Sequence, residues 1–242
     1  MKEQKAEGRK QKAATAKGFS FLLPTALCLL PSALLHPSSL LSCAARRMLK
    51  CLFEDNAMLH QNTLDPLHTT LAIIDMQESF RSVISDFAET AVRIALVAHA
   101  AQLLNIPVIV TEQYPKGLGH TANEIKAVLP ADFNFIEKTA FSSCGARSFE
   151  AELERTQALH ILICGIEAHI CVNQTTHDLL ERGYRVHLLT DCITARTEHN
   201  KQTGFAKMQQ SGAVPSSTEL ALFELMRDAK HEQFKAIQKL IK

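Results

Sequence analysis

At 242 residues the chain is long enough for one substantial domain plus an appendage, and its 46% hydrophobic and 21% charged residues are those of an ordinary globular protein. Trp is absent and Tyr occurs twice, which argues against an aromatic-rich surface for carbohydrate or single-stranded nucleic acid. The formal net charge of +1 is unevenly spread: residues 1–68 hold 9 Lys and Arg against 5 Asp and Glu, so the remainder is slightly acidic and lacks the clustered positive charge that nucleic-acid binding requires.

The first 66 residues read as an N-terminal extension. A basic start, MKEQKAEGRKQKAATAKG, gives way to the apolar FSFLLPTALCLLPSALLHPSSLLSCAARR. That order resembles a signal peptide or an organelle presequence, for example a mitochondrial one. Pro24, Pro31 and Pro37 break the apolar stretch, which makes it a poor transmembrane helix and predicts no stable membrane insertion. Glu3 and Glu7 fit a transit peptide badly, and a start at Met48 or Met58 is the third alternative.

From about residue 67 strand-like and helix-like runs alternate. TTLAIID is a β-branched, aliphatic run that ends on an acid. DFAETAVRIALVAHAAQLLN carries apolar residues at helical spacing, with Asn105 suited to its C-terminal cap. PVIVTEQ, FNFIEKT, ALHILICG, YRVHLLTD and AVPS supply five more strands. Between them lie helices over TANEIKAVL, SFEAELERT, AHICVNQTTHDLLERG and HNKQTGFAKMQQSG, and STELALFELMRDA follows from Ser/Thr caps. Such alternation predicts an α/β fold: a three-layer α/β/α sandwich around a six-stranded, mainly parallel, Rossmann-like sheet.

The seven cysteines include no C-x-x-C pair and are odd in number, so neither a zinc finger nor a disulfide framework is expected. A reducing, cytoplasmic setting follows, with structural thiols and room for one reactive cysteine. In open parallel sheets ligands bind beyond the carboxyl ends of the strands, near the point where strand order reverses. Asp75 ends the first strand, Lys138 ends the third, and Cys171 follows the fourth at a helix start. A helix N-terminus and a nearby lysine favour a thiolate, and a carboxylate can accept the thiol proton and return it to a leaving amine. Each residue also has a structural explanation: a buried small side chain for Cys171, a turn cap for Asp75, a solvated surface group for Lys138. Strand ends and residue types decide no further.

At these positions the sequence resembles the isochorismatase-like family of cysteine hydrolases. The matching words are LAIIDMQESF, IEKTAFS and CGIEAHICVNQTTHDLLERGYRVHLLTDC, and TEQYPKGLG and KMQQSGA fit the same pattern. The likeness spans residues 69–242. It implies an Asp75–Lys138–Cys171 triad and a non-proline cis peptide at Ile166–Glu167. That turn, with Cys171, would point N–H groups at an oxyanion. It further implies weaker substrate contacts at Gln77, Phe80, Gln113 and Tyr114, and a homo-oligomer, either dimer or tetramer.

One departure matters. Metal-dependent nicotinamidases of this family carry an Asp-x-His ligand motif and a further His after the second strand. Here the region reads Thr111-Glu112-Gln113-Tyr114-Pro115, with His120 alone beyond it. No metal and no cofactor are therefore expected, and His169 and His177 are taken as structural. The expected activity is metal-free hydrolysis of a C–N bond in a small amide through a Cys171 thioester. Vinyl-ether cleavage of isochorismate, or an idle family member acting as a binding protein, are the alternatives.

Overall fold

The computed structural model describes residues 60–242. The expected targeting or extraneous segment at the start of the chain lies outside the described residues, apart from its last few positions. Six strands, β1 (Thr69–Ile74), β2 (Val108–Gln113), β3 (Ile136–Lys138), β4 (His160–Gly165), β5 (Arg185–Ile193) and β6 (Val214–Ser216), form one sheet in the order β3-β2-β1-β4-β5-β6. Every neighbouring pair is parallel.

The central strands explain themselves. All six residues of β1 and all six of β4 are buried, as continuous aliphatic runs must be when helices cover both sheet faces. The register Thr69↔His160 through Ile74↔Gly165 ends both strands at one level. Helix α1 (Phe87–Leu103) packs on one face, together with α7 (Thr218–Met226) and α8 (Phe234–Leu240). Helices α4 (Arg147–Thr156), α5 (Cys171–Glu181) and α6 (Glu198–Gln210) cover the other, completing three layers. Two single-turn helices, α2 (Pro115–Leu118) and α3 (Asn123–Lys126), lie in the long β2–β3 connection.

Local chemistry sets the boundaries. Asn105 takes φ 56° after α1, and Ile106 N–H donates to Ala101 O at 2.8 Å, closing the helix as its cap position predicts. Ser217 caps α7 by accepting from Leu220 N–H, and Thr197 caps α6 by accepting from Asn200 N–H. The described core begins before β1: Leu64 is fully buried, and Arg227 donates to its carbonyl at 2.9 Å. No helix among the described residues is long and apolar enough to cross a membrane.

The sheet reverses winding between β1 and β4, so a crevice opens at their carboxyl ends. A register shift between β4 and β5 falls at Ile163/Gly165, beside that crevice.

Candidate active site

Asp75 leaves β1 with φ 49°, a left-handed conformation that short polar residues tolerate. Its carboxylate is 2% exposed and held from two sides. Thr111 Oγ1 donates to Oδ1 at 2.7 Å, and Lys138 Nζ donates to Oδ2 at 2.6 Å. Because β3 lies two strands from β1, the long lysine side chain spans β2 to reach the acid. Lys138 Nζ also donates to Gln113 Oε1 at 2.7 Å, Phe141 O at 3.0 Å and Ala140 O at 3.1 Å. Four acceptors surround an ammonium with three protons, so none is left for a ligand. The solvated surface lysine considered from sequence is not found: the side chain is wholly buried.

Cys171 opens α5, 7% exposed, and lines the same cavity as Asp75. Burial, then the Asp75 charge, push the thiol up to about 12, and the opposing pull of Lys138 does not cancel them. This corrects the expectation that the lysine and the helix N-terminus would favour a thiolate. The ammonium is committed to Asp75, and desolvation wins. Burial and the neighbouring carboxylate thus favour the protonated thiol.

The turn between β4 and α5 is built by close approach. Gly165 has φ 112°, and a Cβ there would sit 2.0 Å from Ile74 O, so only glycine fits. Ile166–Glu167 is a cis peptide at the expected position. Ile166 N–H donates to Ile74 O at 2.9 Å and is spent on the sheet, so it is not an oxyanion donor. The N–H groups of Glu167 and Cys171 have no partner among the described residues. Behind the turn, Gly204 of α6 lies so close that a Cβ would meet Ala168 O at 2.8 Å.

Asp75 and Cys171 share a cavity of about 210 Å³. Phe80 and Gln113 line it, in the places anticipated for substrate contacts. Gln77 does not. It is fully buried, its amide donates to Gln113 O and Gly119 O at 3.0 and 2.6 Å, and its Oε1 accepts from Gln113 N–H at 2.8 Å. It clamps the β2–α2 loop. Tyr114, in a left-handed conformation with φ 38°, does not line this cavity but borders a separate cleft of about 410 Å³. Sequence reasoning missed Leu118, Phe141, Ile170 and Arg196, which complete the wall. Arg196 follows β5, so the same strand-end rule that found Asp75 reaches it too. Its Nε donates to Glu167 Oε1 at 2.7 Å, which neutralises a carboxylate that is otherwise buried.

His120 and His177 have hydrogen-bond partners, whereas the buried Nδ1 of His169 has none among the described residues. His120 lies 3.0 Å from buried Glu112, which also accepts from the N–H and hydroxyl of Thr121. His177 contacts Asn173 O at 2.6 Å and Ser211 Oγ at 3.0 Å. His169 Nδ1 stands 3.9 Å from Glu167 Oε2.

An acid, a lysine and a cysteine thus lie together at the switch point of a parallel sheet, where ligands of such sheets bind. The family model described as the isochorismatase domain matches residues 69–220, and the chain belongs to that family. It is 41% identical over 179 residues to human isochorismatase domain-containing protein 2, covering 73% of this chain and 84% of that protein. Among solved structures it is similar to the MAR1 ribonuclease of Caenorhabditis elegans, at 40% identity and a TM-score of 0.71, covering 74% of this chain and 92% of that one. The YcaC gene product of Escherichia coli, described as an octameric hydrolase of unknown specificity, shares the fold at 22% identity and a TM-score of 0.69, covering 74% and 89%.

Proposed function

We propose that this chain is a metal-independent cysteine hydrolase that cleaves the C–N bond of a small amide, with Cys171 as nucleophile, Asp75 as general acid–base and Lys138 as the group that holds Asp75 in place. The observation that carries it is the buried Lys138–Asp75 ion pair sharing one cavity with Cys171. Because the thiol rests protonated, attack and proton transfer are coupled: Sγ bonds to the carbonyl carbon as its proton passes to Asp75. The carbonyl oxygen becomes an oxyanion against the free N–H groups of Cys171 and Glu167. As the tetrahedral intermediate collapses, Asp75 gives its proton to the nitrogen, the C–N bond breaks, and an amine or ammonia leaves. Water then attacks the thioester, giving its proton to Asp75. Collapse expels Sγ, which regains the proton, and a carboxylic acid departs.

Lys138 serves throughout by keeping the carboxylate in one position while the charge on it changes. A cavity of this size suits a small molecule rather than a nucleic-acid strand. The exposed Leu220 and Phe223 of α7 support self-association through that helix. The test is release of ammonia or amine from a panel of small amides by the wild type, Cys171→Ala and Asp75→Asn, with isochorismate and a short RNA as competing substrates. Amide turnover that both substitutions abolish is the expected result. Turnover of isochorismate or RNA alone, or amide turnover surviving Cys171→Ala, overturns the assignment.

A further inference from the structure

We propose that the acyl group accepted by this site is neutral, apolar and short, of about the size of isovaleramide, and that Phe141 is a principal selecting residue. This rests on the acyl-transfer reaction proposed above and names its substrate class.

The wall of the cavity is made by Phe80, Leu118, Phe141, Ile166 and Ile170. The polar side chains beside them are already matched. Asp75 is held by Lys138 and Thr111. Gln113 accepts from Lys138 through Oε1 and donates through Nε2 to Thr139 O at 2.7 Å, so neither end of its amide is idle. Glu167 accepts from the Nε and the backbone N–H of Arg196. What remains for an incoming molecule is the Cys171 thiol, the unpaired N–H groups of the turn, the terminal guanidinium nitrogens of Arg196 at the exposed rim, and hydrocarbon.

Arg196 is the residue that argues the other way, since a guanidinium can bind a substrate carboxylate. Its charge is balanced by Glu167, and its side chain is 51% exposed, where water screens what attraction is left. A second carboxylate inside the cavity would also lose its hydration close to Asp75, with no buried cation free to pair with it. The ammonium of Lys138 is saturated and out of reach. Hydrocarbon, by contrast, gains from every CH₂ it buries against this wall.

The volume sets the scale. A cavity of about 210 Å³, open to solvent on one side, has room for a small amide such as one with a branched acyl chain of four or five carbons. Phe141 is the adjustable part of the wall. Its ring is 55% exposed, while its carbonyl is fixed by Lys138, so truncating the ring leaves the backbone anchor in place.

Isovaleramide and malonamate form the probe pair, because they have nearly the same shape and differ by isopropyl against carboxylate. Two measurements are made on the full chain: kcat/KM for ammonia release by the wild type, and affinity of Cys171→Ser for each amide by ligand-observed NMR. We expect kcat/KM to favour isovaleramide at least tenfold and the binding preference to have the same sign. Phe141→Ala is expected to cut that ratio severalfold, chiefly through KM for isovaleramide. Equal or better use of malonamate, or a ratio indifferent to Phe141→Ala, overturns the proposal, as does Cys171→Ser binding neither amide. Selective binding of isovaleramide by Cys171→Ser without wild-type turnover supports the apolar class and overturns the acyl-transfer reaction instead.

Discussion

Replacing Lys138 by Met keeps the length and the buried stem of the side chain and removes only its charge and donors. The consequence follows from what Nζ holds. Asp75 loses its 2.6 Å partner while 2% exposed, and it keeps the Thr111 hydroxyl. Breaking a buried ion pair from one side costs about 3–5 kcal/mol, because the abandoned charge stays desolvated. Gln113 Oε1 and the carbonyls of Ala140 and Phe141 also lose a donor, but they are partly exposed and water can replace it. The larger estimate therefore stays near 5 kcal/mol. For a domain of this size that lowers Tm by roughly 10–20 °C. Urea unfolding at pH 7 measures it, with Asp75→Asn and the double substitution closing a thermodynamic cycle. The double variant should recover much of the loss, since no orphaned carboxylate remains. A loss under about 1 kcal/mol for Lys138→Met, the range of exposed ion pairs, would refute the picture of a buried pair that anchors the site.

Other outcomes follow from the same geometry. Asp75 is a cause of the raised Cys171 thiol, so Asp75→Asn should speed alkylation of Cys171 by iodoacetamide at pH 8 while abolishing amide turnover; slower alkylation would contradict the contact. In the wild type that alkylation should rise about tenfold per pH unit between pH 7 and 9, with no plateau, because the thiol titrates at about 12. Gly204→Ala adds a methyl 2.8 Å from Ala168 O, so the nucleophile turn must shift; about 1–3 kcal/mol of stability and at least tenfold of kcat should be lost, and an unchanged kcat would show that α6 does not set the turn. At the far end of the sheet His160 Nδ1 and His187 Nε2 lie 3.1 Å apart, and burial lowers the two imidazoles to about 3 and about 4. The unfolded chain takes up these protons near 6.5 and the folded one only below 4, so stability is complete above pH 6.5 and falls as pH drops towards 4. His187 alone accounts for about 3 kcal/mol of that fall, and His187→Gln should flatten the slope in denaturation measured from pH 7 to 4.

What the sequence exposed and what it hid follow physical lines. Asp75 and Lys138 drew notice as strand-end residues and Cys171 as the helix start after β4. Residue types and positions decided no further, and the family likeness supplied the proposed triad. The six strands were legible because β1 and β4, buried on both faces, are unbroken aliphatic runs. Gln77 was misplaced because its partners are backbone atoms of Gln113 and Gly119, some forty residues on, which no local pattern records. Tyr114 was misplaced because it lines the neighbouring cleft, beside a left-handed backbone turn that the sequence does not announce. The state of the Cys171 thiol was misjudged because lysine and helix terminus are visible in sequence, whereas the depth of burial that outweighs them is not. Arg196 was within reach of the strand-end rule, but its partnership with Glu167 depends on the fold of the turn.

The most direct test of the central claim is the mass of the intact protein after acid quench during turnover of a small aliphatic amide. The account predicts a fraction of wild-type chains heavier by the acyl group less one hydrogen, mapped by peptide mass to Cys171, and no such species with Cys171→Ala. Turnover with no acylated wild-type protein under any quench, or an acyl group found on another residue, would contradict it.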